Sequence, residues 1–78
     1  MKITKTSIEY AKNGTKWEET NRDIEEVSQA FYNKFIAVRF SDERREKNYT
    51  PLGFVPVKVS TTSPSKQLKH VTSFKFEL

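Results

Sequence analysis

Two hydrophobic rhythms alternate along the chain, a period of two and a period near 3.6, and they predict six elements. Residues 5–12 read as a strand with Ile8 and Tyr10 on one face. Asn13-Gly14 follows, a strong hairpin signal because a type I′ turn needs positive φ at both central residues. A turn centred there sets Tyr10 opposite Trp17, a cross-strand pair worth up to about 1 kcal/mol, and leads into a short second strand. Thr20 to Asp23 then reads as a helix start. Thr20 can cap, and Asp23, Glu25 and Glu26 place negative charge at the positive end of the dipole. Ile24, Val27 and Phe31 recur at helical spacing with Ala30 beside them, which carries the helix to Tyr32, and Asn33 supplies a stop.

The next stretch supports two assignments. Ile36, Val38 and Phe40 alternate with Phe35, Ala37 and Arg39, and the aromatic and β-branched content favours a strand over 34–41. Phe35 and Val38 also continue the helical spacing, so a helix running on to Arg45 is the alternative. Ser41 to Asn48 is a charge run that reads as a solvated connection, and Pro51-Leu52-Gly53 is turn chemistry. Residues 53–60 form a strand with Val55, Val57 and Val59 on one face. Thr61 to Lys66 is a loop, and residues 70–78 form a last strand with Thr72, Phe74, Phe76 and Leu78 on one face.

The order is then β-β-α-β-β-β: an α+β fold in which one helix packs on a mostly antiparallel sheet that begins with an N-terminal hairpin. Pro56 constrains the sheet, since proline has no N–H to give a ladder. Either a bulge forms at Pro56, or 70–78 pairs with 34–41 and leaves 53–60 outside.

Length and composition narrow the class. The 78 residues suit one small domain, and ten aromatics (six Phe, three Tyr, one Trp) must supply much of its core. The absence of cysteine excludes a disulfide framework, a thiol enzyme and a cysteine zinc site, and suits the cytoplasm. The longest unbroken apolar run is Phe35-Ile36-Ala37-Val38, too short for a membrane span, and Met1 to Tyr10 has no apolar stretch fit for a signal peptide.

No catalytic set emerges. Gly14 and Gly53 are the only glycines, so no phosphate-cradling loop exists, and no serine lies in a nucleophile elbow. His70 is the single histidine, and the acidic pairs Glu18-Glu19 and Glu25-Glu26 point in diverging directions. The chain is read as no enzyme, with no metal and no cofactor.

Charge adds a location. The net +4 divides into +1 over residues 1–21, zero over 22–48 and +3 over 49–78, where Lys58, Lys66, Lys69 and Lys75 lie. With the helix on one face, the other would carry Phe35, Arg39, Phe54, Lys58, Val71 and Lys75, rings interleaved with cations. Such a face can stack bases and neutralise phosphates. The element order and motifs match neither RNA-recognition sheets, double-stranded RNA domains nor β-ribbon repressors. The leading expectation is a small non-enzymatic accessory protein acting by surface contact with a partner protein, as an inhibitor or adaptor. Phage- and plasmid-type accessory proteins share this length and Lys-rich composition. The alternative is a nucleic-acid-binding module using the basic and aromatic sheet face. An edge strand ending at Leu78 also offers a route to homo-oligomers.

Overall fold

The computed structural model describes residues 1–38 and 41–78. Among them the elements are β1 (Lys2–Asn13), β2 (Lys16–Val27), α1 (Gln29–Ala37), β3 (Glu43–Thr50), β4 (Gly53–Thr62) and β5 (Leu68–Glu77). The α+β class, the element order and the N-terminal hairpin are as the sequence predicts. The sheet order is β2-β1-β5-β4-β3, with every neighbouring pair antiparallel. Two hairpins, β1–β2 and β3–β4, are joined by β5, which pairs with both.

The first hairpin turns one residue later than Asn13-Gly14 implies. Asn13 pairs with Lys16, so Gly14 and Thr15 are the central residues and only Gly14 takes positive φ, at 65°. Glycine at the first central position is the requirement of a II′ turn. Tyr10 therefore opposes Glu19, and Trp17 opposes Lys12. The two rings keep a common face as diagonal neighbours.

The helix begins at Gln29, not near Thr20, because β2 runs to Val27. Its acidic residues serve the ladder: Glu25 opposes Lys5 and pairs with its ammonium at 3.3 Å. Thr20 donates to the Glu9 carbonyl at 3.2 Å, where the β1–β2 register slips. The cap is Ser28, whose hydroxyl accepts from the Phe31 N–H at 3.1 Å.

The strand expected over 34–41 does not form at 34–37, which belong to α1; Arg39 and Phe40 lie outside the described residues. A helix continuing to Arg45 is also excluded, because Glu43 to Thr50 is β3. That charge run is an edge strand, where both faces tolerate charge. Arg45 points toward the helix, ion-pairs with Glu43, and donates to the Ile36 and Val38 carbonyls. These are C-terminal carbonyls without an intrahelical partner, and a cation there also complements the dipole.

Pro56 is accommodated by a bulge, the first of the two predicted solutions. Glu46 pairs with Lys58 and Lys47 with Pro56, leaving Val57 extra. On the other side, β4 pairs with β5 only from Lys58 opposite Ser73 to Thr62 opposite Lys69, so Pro56 lies beyond that ladder. The outer strands are β2 and β3, and β5 is central, so the edge expected at 70–78 is paired along β1 throughout.

The helix contributes one fully buried side chain, Tyr32, which clusters with Ile3 and Phe74. Its ring meets Phe74 and Phe76 edge-on, at 4.9 and 5.1 Å between centroids. Phe35 meets Phe74 likewise at 5.3 Å. Each such pair adds about 0.5–1.5 kcal/mol beyond area burial. The Tyr32 hydroxyl donates to the Pro56 carbonyl at 2.6 Å. Val59 and Val71 are also buried, and no helix among the described residues is long and apolar enough to cross a membrane.

Burial pushes the Tyr32 phenol above its ordinary value, against a smaller opposing effect of the Arg45 charge. The folded state therefore holds this proton to higher pH than the unfolded chain. Its contribution is complete below about pH 10 and declines as pH rises from there toward the folded value. Tyr32→Phe should lower stability in urea at neutral pH by about 1–2 kcal/mol, through the donor taken from Pro56. The gap between the two proteins should narrow above about pH 10. Arg45→Met should cost about 2 kcal/mol in the same titration, since two helix carbonyls lose a charged donor.

Candidate nucleic-acid interface

Residues opposite one another in the register share a face, and faces alternate along each strand. The helix lies over the face of Ile3, Lys5, Phe74 and Phe76. The other face has no helix on it. Across it run five rows: Glu26, Thr4, Lys75; Ile24, Thr6, Ser73, Lys58, Glu46; Arg22, Ile8, Val71, Ser60, Arg44; Glu19, Tyr10, Lys69, Thr62; and Trp17 with Lys12.

The cations there are Lys12, Arg22, Arg44, Lys58, Lys69 and Lys75, against Glu19, Glu26 and Glu46, while Lys2 and Glu77 oppose each other and cancel. Arg22 is committed to Glu19 at 2.8 Å. This exposed pair lowers the Glu19 carboxyl below its ordinary range and raises the Arg22 guanidinium, in both mainly through the hydrogen bond between them. Lys58 stands opposite Glu46. Lys12, Lys69 and Lys75 make no ion pair among the described residues.

At the hairpin end, Lys69 sits between two half-buried rings. Its ammonium is 4.8 Å from the centroid of Trp17 and 5.1 Å from that of Tyr10. Lys12 approaches Trp17 from its own strand, at 5.7 Å. The hairpin register builds this cluster: the turn at Gly14 brings Trp17 beside Lys12, and the β1–β5 ladder sets Lys69 directly across from Tyr10.

The residues expected from the sequence divide accordingly. Lys58, Lys69 and Lys75 do gather on the uncovered face. Phe35 does not: it belongs to α1 and packs on Phe74 beneath the helix. Phe54 lies at the tip of the β3–β4 hairpin against Tyr49, 5.0 Å between rings, and not in a row with the lysines. Lys66 is in the turn before β5 with φ of 60°, its N–H donating to the Ser63 carbonyl. Arg39 lies outside the described residues. Tyr10, Trp17 and Lys12 are members that the sequence pattern does not single out, although the hairpin signal puts the two aromatics on one face.

The covered face has a further feature, which adjoins the aromatic corner through Tyr10 and Lys69. Where α1 stops short, an open pocket of about 520 Å³ is lined by Phe35, Val59, Leu68, His70 and Thr72. His70 opposes Glu9 on its rim, with no hydrogen bond between them. Among the described residues, no three His, Cys, Asp or Glu side chains converge to hold a metal.

Trp17 is the only tryptophan, so its emission reports this corner alone. Iodide should quench it more efficiently than caesium, because Lys12 and Lys69 attract the anion and repel the cation. The difference should collapse near about 1 M salt, where the Debye length falls to about 3 Å. No protein-family model, curated protein or solved structure matches the chain.

Proposed function

We propose that the chain is a small non-enzymatic accessory protein, cytoplasmic, that works by surface contact, and that its working surface is the uncovered face of the sheet. One observation carries the reading: the helix covers a single side of a five-stranded sheet, and the side left open collects most of the excess positive charge. A face lined with uncompensated lysines attracts a negatively charged partner and speeds encounter with it. An acidic partner protein and a nucleic acid both present that charge.

The outer strands support the choice of a face over an edge. β2 and β3 are studded with charges of both signs, which discourages strand addition and argues against homo-oligomers formed that way.

The location of charge can be tested separately from its amount. Lys12→Glu with Lys75→Glu reverses two cations on the uncovered face. Lys34→Glu with Lys47→Glu reverses two exposed cations on the helix side. Each double reversal inverts two charges and lowers the formal net charge by four, from +4 to zero. On a sulfated polyanionic matrix the first variant should elute at much lower salt than the second. Equal elution of the two would sink the reading.

A further inference from the structure

We propose that the partner is single-stranded nucleic acid, with bases stacking on Trp17 and Tyr10 and the phosphate backbone running along β5 toward Lys75. This rests on the uncovered face being the contact surface, and it names what that surface takes.

Charge complementarity is the first argument. Among the described residues, Lys12 and Lys69 at one end and Lys75 at the other make no ion pair with a carboxylate. Lys69 and Lys75 are separated by six residues of one strand, about 20 Å. Between them the face offers hydroxyls from Thr6, Ser60 and Ser73, donors suited to phosphate and sugar oxygens.

The aromatic corner is the second. Trp17 and Tyr10 are each half-buried, with the Lys69 ammonium over both rings. A base sliding onto either ring takes the position of that ammonium. The displaced ammonium then meets the phosphate of the same nucleotide, so one contact is exchanged for two. Stacking of this kind needs an unpaired base, because in a duplex the base faces are already stacked inside. A broad sheet face without a helix or protruding ribbon on it also has nothing to enter a major groove.

A protein partner is the less fitting occupant. Protein interfaces centre on an apolar patch with charge at the rim. On this face Val71 is already buried and Ile8 half-buried, so of its aliphatic side chains only Ile24, at the β2 edge, is exposed, while Tyr49 and Leu68 adjoin its two ends beside Lys75 and Lys69 and form no central patch.

The test is fluorescence anisotropy of a labelled oligothymidylate of about twelve nucleotides, a length within the usual site size of such surfaces. Trp17 emission is followed in the same titration. Expected are saturable binding at about 50 mM salt, quenching of Trp17, and a log–log salt slope near −2 for three phosphates neutralised. Trp17→Leu with Tyr10→Leu should weaken binding by on the order of tenfold or more. Lys69→Gln with Lys75→Gln, which leaves both rings in place and guards against a folding defect, should flatten the salt slope by about 1.4. The complementary duplex should bind at least about tenfold more weakly.

Absence of oligothymidylate binding, or equal binding of the duplex, would overturn the assignment. Tighter binding of polyglutamate than of the oligonucleotide would transfer the face to an acidic protein. If the oligonucleotide fails while the two double reversals still separate on the polyanionic matrix, the nucleic-acid assignment falls and the contact face stands. If they do not separate, both fall.

Discussion

Everything in this fold leans on Tyr32. One short helix must hold one face of a long sheet, and Tyr32 is its single fully buried side chain. The ring fills the space above Phe74 and Phe76, and the hydroxyl reaches the Pro56 carbonyl. That hydrogen bond matters because β4 has already left β5 at this point: their ladder ends at Lys58 and Ser73. The Tyr32 bond thus connects the bulged half of the second hairpin to the helix, where the sheet itself provides no connection. Arg45 fastens the other end of the helix to β3 through the Ile36 and Val38 carbonyls. A core of so few fully buried residues depends on such directed contacts as well as on apolar area.

The arrangement also explains how so charged a chain folds. The helix needs only part of one sheet face, so most of the opposite face and of both outer strands is released from core duty, Val71 and Val27 excepted. Lysines and glutamates occupy them without burial cost. The positive excess is consequently a property of a face, not of a stretch of sequence. Lys12 comes from the first hairpin, yet it joins Lys69 and Lys75 from the last strand.

The element order and the last two strands were legible because Val55, Val57, Val59, Phe74 and Phe76 alternate plainly, and Pro56 announces its bulge. The middle of the chain was not. Asp23, Glu25 and Glu26 resemble a helix's first turn, but Glu25 has a cross-strand partner in Lys5 that local pattern does not reveal. Ile24 falls at helical spacing by coincidence and is exposed on an edge strand. Glu43 to Lys47 alternates charge with charge, so no hydrophobic rhythm marks it as β3. The aromatic–lysine corner was half legible. The hairpin signal makes Tyr10 and Trp17 neighbours, but Lys69 reaches them only through a pairing between distant parts of the chain.

The central position of β5 has a kinetic consequence. The two hairpins are local and can close within microseconds of their turns forming. Neither is paired with the other; residues 68–77 alone join them through ladders to β1 and β4. The β1–β5 ladder spans most of the sequence, and such contacts repay their loop-closure entropy late. Completing the sheet therefore requires the insertion of one strand between the two hairpins. Until it happens, the inner edges of β1 and β4 remain open to any other extended chain.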